Sequence, residues 1–279
     1  MSSNDAICVI AANNSKTADD KNIDYIQLAS IAADRVKYYL DLPTYIISAD
    51  LDEASKYSNF AGILTSTPTK ITKRNVMAGN DHIQYDWLND TRISAFELTK
   101  GLADRVLMID ADYMVASAQL RIWVNSDNPF SIFTSVKDLS NRGIYSSKYL
   151  PSNDIIQRWA TAMCWDHSEE AEAIFETAKM VRDNYDFYAV MFGMPKSLFR
   201  NDVAFSVACH LFNVPAYENQ QLWNLVPAAN IKYSEKMKEW LLLFNDTCVI
   251  WNHDVHVLNK QYAIDPALMD QLRLNNVPA

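Results

Sequence analysis

The clearest structural signal in the chain is residues 106–115, which read VLMIDADYMV. The stretch opens with a continuous apolar run, which is typical of a strand buried on both faces of a parallel sheet. Asp110 and Asp112 follow directly, at the carboxyl end of the strand, where open α/β sheets bind ligands. The stretch therefore predicts a central strand over Arg105–Asp110 that ends in two carboxylates.

The chain before this strand alternates between strand and helix patterns. Short runs rich in apolar and β-branched residues predict strands, and they cover residues 6–12, 44–49 and 62–65. Apolar side chains three and four positions apart predict helices, and they cover residues 24–40, which end before Pro43, and 90–102, with Asn89 or Asp90 as cap. This alternation predicts a parallel α/β sheet.

After the central strand the pattern becomes mixed. Strands are predicted over residues 129–136, 159–165, 188–194, 241–244 and 248–251. Helices are predicted over residues 168–183, from Ser197 or Asn201 to 212, and over 266–272. The polar stretches 137–157 and 252–260 are expected as loops, and the first is long enough to suggest a function. No repeat or linker interrupts the chain, so we predict one mixed α/β domain.

The composition of the 279 residues is that of an ordinary globular protein, with 49% hydrophobic residues, 5 Gly and 9 Pro. The net charge of −9 argues against coating nucleic acid by bulk charge, although a local basic groove remains compatible with it. The start lacks a secretory pattern and no apolar stretch is long enough to span a bilayer, so we expect a soluble, cytoplasmic protein. The four cysteines lack C-x-x-C spacing and are expected as buried thiols: Cys8, Cys164, Cys209 and Cys248.

Three polar clusters are candidates for chemistry. Asp110 and Asp112 can converge on a hard divalent cation, which can in turn hold a diphosphate; the alternative is a solvated acidic turn. Asp202 stands at the start of a predicted helix, where it serves as a cap or first-turn acid, or faces a sugar hydroxyl, or does both. Residues 251–260 (WNHDVHVLNK) hold two histidines and a lysine, which can complete a metal site and neutralise phosphate oxygens.

Taken together, these clusters resemble the GT-A fold glycosyltransferases, above all the glycogenin-like and galactosyltransferase-like enzymes. The resemblance rests on the apolar strand ending in D-A-D, the later Asn-Asp helix start and the C-terminal histidine segment that closes on Lys260. It implies a single α/β domain of GT-A type, with a mostly parallel central sheet flanked by helices. Residues 1–115 would be the nucleotide-binding half, and residues 116–279 the acceptor half with the C-terminal metal and diphosphate segment.

The resemblance also implies roles for individual residues. Asp110, Asp112 and His256, with His253 as the alternative histidine, would hold Mn²⁺ or Mg²⁺ against the diphosphate of a nucleotide-sugar donor, which we expect to be UDP-linked. The relatives carry a glycine and a K-P-W ending where this chain reads N-K-Q, so the choice between the two histidines stays open. Donor-binding roles would fall to Ala11, Asn13, Arg92, Ala111 and Lys260, and catalytic roles to Asp202 and Asn201.

The acceptor is suggested by a narrower likeness. The run IDADYMV (residues 109–115) resembles glycosyltransferases of bacteriophages, including those of T-even-like phages, which modify hydroxymethylcytosine in their own DNA. Host cytoplasm is the location this implies. Basic residues that could contact DNA are Lys70, Lys73, Arg74, Arg142, Lys148 and Arg158, and aromatic residues that could fill the gap left by a flipped base are Tyr145, Tyr149 and Trp159. For these charges a solvated surface is the alternative.

Several alternatives stay open from the residues alone. The acceptor can equally be a saccharide, a protein or a small molecule. Retention and inversion are both possible, and inversion needs a base such as Asp202, Asp138 or Asp154. A phosphatase of the haloacid dehalogenase type also begins with D-x-D, but near the start of its chain and with a different continuation. A non-catalytic nucleotide-binding module is the remaining alternative.

Overall fold

The computed structural model describes residues 6–66, 72–78, 81–87, 90–139, 149–151, 154–194, 196, 199–216, 222–226 and 229–273. Its strands are β1 (Ala6–Ala11), β2 (Ser15–Lys16), β3 (Asn22–Ile23), β4 (Thr44–Ser48), β5 (Gly62–Thr65), β6 (Thr72–Ala78), β7 (Asp81–Trp87), β8 (Arg105–Asp110), β9 (Tyr113–Met114), β10 (Phe130–Phe133), β11 (Val136–Asp138), β12 (Trp159–Asp166), β13 (Leu222–Leu225), β14 (Asn230–Ser234), β15 (Glu239–Phe244), β16 (Thr247–Ile250) and β17 (Val255–Val257). Its α-helices are α1 (Tyr25–Leu40), α2 (Leu51–Ala54), α3 (Ala95–Thr99), α4 (Arg121–Val124), α5 (Glu169–Asp183), α6 (Tyr185–Met191), α7 (Asn201–Leu211) and α8 (Pro266–Asp270), and its 3₁₀-helices are η1 (Asp90–Ser94) and η2 (Lys260–Ala263).

A six-stranded sheet in the order β10-β12-β8-β1-β4-β5 forms the centre of the fold. Strand β1 runs parallel to both β8 and β4, and β4 runs parallel to β5, whereas β12 is antiparallel to β8 and β10. Every residue of β8 is buried, as expected for a strand covered on both faces. One face packs against α1 and the other against α5 and α7. The predicted fold class, mixed α/β with a mostly parallel central sheet flanked by helices, is therefore confirmed.

A second, four-stranded sheet brings the C-terminal segment to the end of β8. Its order is β11-β13-β17-β9, and β9 follows β8 after a two-residue turn. The N–H of Val257 donates to the carbonyl of Asp112 at 2.8 Å, which fixes β17 beside that turn. The C-terminus is further held by the buried Arg35 of α1, whose guanidinium donates to the carbonyls of Leu272 (2.7 Å) and Val115 (2.9 Å).

Several sequence predictions need correction. Residues 188–194 do not form a strand: α6 covers Tyr185–Met191, burying Tyr185 and Ala189 one turn apart while Phe187 and Val190 face solvent. The predicted strand 129–136 is two strands, since the chain leaves the central sheet after Phe133 and joins the second sheet at Val136. A short apolar run cannot by itself separate a helix from a strand, or one strand from two.

Other departures are smaller. The predicted helix 90–102 is a 3₁₀ turn, η1, followed directly by α3, and Ser94, the last residue of η1, is the N-cap of α3. Asn89, one of the two suggested caps of the predicted helix, lies outside the described residues. The polar stretch 252–260 contains β17, and the predicted loop 137–157 begins inside β11, although most of it lies outside the described residues. Cys248 is exposed because β16 is an edge strand whose alternate residues face solvent, whereas the other three cysteines are buried.

Within the described residues, the helices are too short or too polar for any of them to cross a bilayer.

Candidate metal centre

Two aspartates and one histidine meet at the carboxyl end of β8. Asp110 ends the strand, Asp112 is the second residue of the turn, and His256 of β17 lies opposite Tyr113 in the antiparallel pair with β9. His256 Nε2 is 3.2 Å from Asp112 Oδ1 and 3.8 Å from Asp110 Oδ2. One potential ligand atom from each of the three residues lies within 4.8 Å of the other two. These three residues therefore form a group that could hold a metal ion.

His253, the alternative histidine, lies apart from this group. Its ring packs beside Trp223, with the ring centroids 5.7 Å apart. The reason is the register of β17: His256 stands in the strand opposite β9, whereas His253 precedes the strand by two residues. Burial lowers the pKa of His253, so the neutral imidazole is favoured there.

Each carboxylate of the centre is also paired with a basic side chain. Arg92 of η1 forms an ion pair with Asp110 through Nη2 and Oδ1, and its Nη1 donates to the carbonyl of Ala160 at 3.3 Å. Lys260, the first residue of η2, forms an ion pair with Asp112 through Nζ and Oδ2. The ammonium also lies 5.3 Å from the ring centroid of Tyr25, at the start of α1. Two fixed positive charges thus border the place where a metal ion and its anionic ligand could sit.

The two aspartates differ in their electrostatic environment. Burial raises the pKa of Asp110 to about 6; the guanidinium of Arg92 opposes that rise and the carboxylate of Asp112 adds to it. Burial also acts to raise the pKa of Asp112, but the Lys260 ammonium and the His256 imidazole outweigh it and hold that pKa well below its usual range. Asp112 is therefore the carboxylate whose charge the surroundings favour most.

The donor set fits a divalent cation. Two carboxylates and one imidazole combine hard oxygen donors with a nitrogen donor. This mixture suits Mn²⁺ and similar first-row ions better than Mg²⁺, which prefers oxygen ligands alone. All three side chains are at least 86% buried, with exposed side-chain fractions of 9%, 7% and 14% for Asp110, Asp112 and His256. Because the protein offers three ligands, further coordination positions on the ion would remain open for water or a substrate oxygen.

Two residues that hold the centre were not found from the sequence. The buried carboxylate of Asp254 accepts hydrogen bonds from Tyr113 Oη (3.0 Å), the Ala116 N–H (2.8 Å) and Ser117 Oγ (2.9 Å), and so ties the chain after the D-A-D turn to the segment before β17. Its position between the two histidines was the available signal. Asn224 of β13 contacts His256, and no local sequence pattern pointed to it.

Asp202 and Asn201 lie at the first turn of α7. The N-cap residue of the helix is Arg200, which makes no capping bond from its side chain, and Asp202 is a first-turn acid. Asp202 Oδ1 accepts from the Ala160 N–H (2.9 Å) and Oδ2 pairs with Arg200 Nη2 (2.9 Å). The negative charge of Asp202 contributes to the raised pKa of Asp110. Asp202 therefore belongs to the electrostatic surroundings of the centre, while Asn201 is buried.

An open groove of about 500 Å³ lies at the carboxyl ends of β1 and β4, next to the end of β8 in the sheet order. It is lined by Asn13, Asn14, Ala49, Asp50, Leu51 and Asp52. Asn13 is 8% exposed, and its Oδ1 accepts from the Ala49 N–H at 2.7 Å. Asn13 Nδ2 is itself buried, and among the residues described none accepts a hydrogen bond from it.

Ala11 and Ala111 line the same edge of the sheet as the metal candidates. Ala11 ends β1 and stands opposite Asp110 in the parallel register, while Ala111 is buried in the turn between the two aspartates.

The basic residues suggested for DNA contact receive one correction. Arg158 is 4% exposed, and its guanidinium donates to the carbonyls of Pro215 (3.0 Å) and Val214 (2.5 Å). These hydrogen bonds connect the start of β12 to the segment after α7 inside the protein. Arg158 therefore cannot contact a phosphate backbone. Tyr149 is exposed and Trp159 is half-buried. The suggested residues Lys70, Arg142, Tyr145 and Lys148 and the side chain of Lys73 lie outside the described part of the chain.

No protein-family model matches the chain, and no curated protein matches it. Solved structures that are similar include a galactosyltransferase, LgtC, in complex with donor and acceptor sugar analogs, at 14% identity over 72% of this chain and 69% of that chain, with a TM-score of 0.44. An active-site mutant of LgtC is similar at 12% identity over 76% of this chain and 79% of that chain, with a TM-score of 0.43. The glycosyltransferase GlyE of Streptococcus pneumoniae is similar at 12% identity over 79% of this chain and 47% of that chain, with a TM-score of 0.41.

Proposed function

We propose that the protein is a metal-dependent glycosyltransferase that moves a sugar from a nucleotide sugar to an acceptor hydroxyl. The observation that carries the proposal is the group of Asp110, Asp112 and His256 at the carboxyl end of β8, bordered by the cationic side chains of Arg92 and Lys260. A divalent ion and two basic residues at one strand end are what a diphosphate needs. The sequence resemblance to GT-A fold glycosyltransferases points to the same reaction.

The groove beside the centre supports a nucleoside-linked diphosphate. Neighbouring strands lie about 5 Å apart, so the groove at β1 and β4 and the centre at β8 are within the span of one nucleotide. In this proposal Asn13 contacts the base or ribose, and Ala11 and Ala111 form the floor at the strand ends. The donor is a UDP-sugar in our proposal, and the ion is Mn²⁺, which the mixed oxygen and nitrogen ligands favour over Mg²⁺.

The residues of this chain would act mainly by electrostatics and position. When bound, the metal supplies Lewis-acid stabilisation of the negative charge that develops on the diphosphate as the bond to the anomeric carbon breaks. Lys260 and Arg92 add fixed positive charges at the same place, and such preorganised charges are worth most in a buried site. When the metal and the diphosphate bind, the Lys260 ammonium would move from Asp112 to a diphosphate oxygen. Asp112 would then be paired with the metal ion, and Lys260 with the diphosphate.

Asp202 is proposed to orient the donor sugar, and the neighbouring Asn201, which is buried at the start of α7, is proposed to assist it. The carboxylate already accepts from Ala160 and pairs with Arg200, but a carboxylate offers about four lone-pair positions, so it can also accept from a sugar hydroxyl. Because those two contacts hold the side chain in place, the hydroxyl would meet a fixed acceptor. Holding the donor and the acceptor in one geometry supplies much of the rate in such transfers.

The acceptor that we propose is the hydroxyl of 5-hydroxymethylcytosine in phage DNA, and its support is the resemblance of residues 109–115 to phage enzymes. The net charge of −9 and the buried position of Arg158 weigh against DNA. A saccharide, a protein or a small molecule is the alternative acceptor, and the assay below decides whether modified DNA is accepted.

The experiment measures release of the nucleoside diphosphate from a panel of nucleotide sugars with Mn²⁺, first without an acceptor and then with hydroxymethylated or plain DNA. We expect turnover of at least one UDP-sugar by the wild-type chain, loss of it in EDTA, and a drop of at least about 100-fold in Asp112→Asn. Asp246→Asn, at an exposed aspartate in the turn between β15 and β16, is the matched control. Turnover that is the same in Asp112→Asn and wild type would refute the function, and equal rates with both DNAs would remove the DNA acceptor.

A further inference from the structure

We propose that Asn224 is a positioning residue for His256: its side-chain oxygen accepts a hydrogen bond from Nδ1–H of the imidazole and so keeps the Nε2 lone pair directed at the metal ion that the two aspartates would hold. This role rests on the proposed function, because it requires a divalent ion between Asp110, Asp112 and His256. Asn224 itself would not contact that ion, because it lies at the Nδ1 side of the His256 ring.

The contact is held by the backbone of the second sheet. Asn224 on β13 stands directly opposite His256 on β17 in a parallel pair, and Nδ1 of the imidazole is 3.2 Å from Oδ1 of the amide. The pair is flanked by Trp223 opposite Val255 on one side, and the Leu258 N–H donates to the carbonyl of Leu225 at 2.9 Å on the other. Asn224 is only 3% exposed, so its side chain is fixed by its strand and its surroundings.

The chemistry of imidazole makes this contact consequential. A neutral imidazole carries one N–H and one lone pair, and only the nitrogen with the lone pair can bind a metal ion. Nε2 is the atom that faces Asp112 and Asp110, so when a metal ion is bound between these side chains Nε2 must offer its lone pair and the proton must reside on Nδ1. A carbonyl oxygen can only accept, so Asn224 Oδ1 selects this tautomer. Hydrogen-bond partners of metal-bound histidines typically contribute about 10–100-fold to metal affinity or activity.

The orientation of the amide is supported by the next strand. Asp138 of β11 stands opposite Asn224 in the parallel register and is fully buried, so Asp138, Asn224 and His256 form one row across three strands. Side chains opposite each other in a sheet lie on the same face. A carboxylate on the β11 side favours the amide NH₂ of Asn224 on that side, which places the carbonyl oxygen toward His256.

The test compares two replacements that differ in one property. Asn224→Leu keeps the approximate volume but removes the acceptor, whereas Asn224→Asp keeps an acceptor for Nδ1–H. We expect the Mn²⁺ dissociation constant, measured by isothermal titration, to rise about 10–100-fold in Asn224→Leu and to stay within about threefold of wild type in Asn224→Asp. The control is Asn59→Leu, which removes a comparable amide that binds Ser30 and Asp34 away from the centre.

Stability separates positioning from a structural role. An added buried carboxylate should make the metal-free Asn224→Asp variant less stable than the Asn224→Leu variant, so the order of stabilities should be opposite to the order of Mn²⁺ affinities. If Asn224 had only a structural role, the less stable of the two variants would also bind Mn²⁺ more weakly. That result would overturn the proposal.

A second measurement does not depend on the folding of any Asn224 variant. In the Cd²⁺-loaded wild-type protein, ¹⁵N-histidine NMR should show a slowly exchanging Nδ1–H proton for His256, assigned by its loss in His256→Gln. Absence of that proton, with the remaining histidine signals intact, overturns the proposal.

The outcomes also separate this proposal from the proposed function. Mn²⁺ binding by the wild type, its loss in Asp112→Asn and an unchanged affinity in Asn224→Leu would overturn the role of Asn224 alone. Failure of the wild-type protein to bind Mn²⁺ would overturn both.

Discussion

Replacement of Lys260 by methionine separates the stability of the metal-free protein from its affinity for metal. Methionine keeps most of the apolar length of the side chain but removes the ammonium that pairs with Asp112. In the metal-free state this leaves His256 as the basic partner of the buried Asp112 carboxylate among the described residues. A divalent ion at the centre would restore a positive charge to the same carboxylate. We therefore expect lower stability in the absence of metal and tighter binding of metal.

The size of both effects follows from the burial of the pair. The side chains of Lys260 and Asp112 are 8% and 7% exposed, and removing one partner of a buried ion pair costs about 3–5 kcal/mol. Because His256 partly compensates, we take the lower value, about 3 kcal/mol, for the free energy of unfolding. By linkage, up to the same amount can appear in the binding of Mn²⁺, which corresponds to roughly two powers of ten in the dissociation constant. At least a tenfold tightening, about 1.4 kcal/mol, is expected.

The assay combines urea denaturation with isothermal titration. Unfolding is measured in EDTA and again in saturating Mn²⁺, and Mn²⁺ is titrated into each metal-free protein. The matched control is Lys238→Met, which breaks an ion pair with Glu235 whose side chains are 71% and 82% exposed; such pairs contribute at most about 1 kcal/mol. UDP should bind the Mn²⁺-loaded Lys260→Met protein about tenfold more weakly or worse, because the diphosphate loses a cation.

Two results would refute this reasoning. If Lys260→Met is as stable as the wild type in EDTA, the ion pair with Asp112 does not stabilise the metal-free fold. If Mn²⁺ binds the variant no more tightly than it binds the wild type, Lys260 and the metal do not share that carboxylate.

Three further predictions concern other parts of the molecule. Asp202→Asn should slow donor turnover by about 10-fold or more while the Mn²⁺ dissociation constant stays within about threefold; a matching loss of Mn²⁺ affinity would contradict a role confined to the sugar. Asn13→Ala should weaken UDP binding about tenfold through the lost polar contact with the nucleoside, without changing Mn²⁺ affinity, and calorimetry that finds unchanged UDP affinity would exclude the groove. Arg35→Met should lower the free energy of unfolding by about 3 kcal/mol, because it leaves the carbonyls of Val115 and Leu272 without their donor; a loss below about 1 kcal/mol in urea titrations would show that the guanidinium does not hold the C-terminus.

The central sheet could be predicted because its strands carry their own signal. The apolar run of β8 is buried at every position, and the boundaries predicted from the sequence, Arg105–Asp110, are those of the structure. Helix α1 was equally clear, since Asp24 caps it by accepting from the Gln27 N–H at 2.8 Å and the apolar spacing continues to Leu40. Long periodic segments and buried runs are the features that local sequence specifies best.

The second sheet could not be predicted, because its strands are short and their partners are far away in the chain. Strand β17 has three residues, and it pairs with β13 on one side and with β9, more than 130 residues earlier, on the other. A strand of this length has no reliable periodicity. The choice between His253 and His256 depended on that pairing, and so did the contact between Asn224 and His256.

Helix α6 was missed for a different reason. The stretch YAVMFGM reads as a continuous apolar run, but Val190 and Met191 face solvent, so its apolar residues do not report burial. The exposed position of Cys248 on an edge strand has the same origin. Which face of an element is covered depends on its tertiary neighbours, and a single sequence does not contain that information.

The most direct test of the proposed centre is an anomalous diffraction measurement at the manganese edge on crystals soaked with Mn²⁺ and UDP. We expect one dominant peak within bonding distance of Asp110, Asp112 and His256, with diphosphate oxygens on its open side and the uridine extending toward Asn13. A peak at another place, or none at these three residues while UDP is bound, would contradict the metal-dependent binding of a nucleotide sugar at this centre.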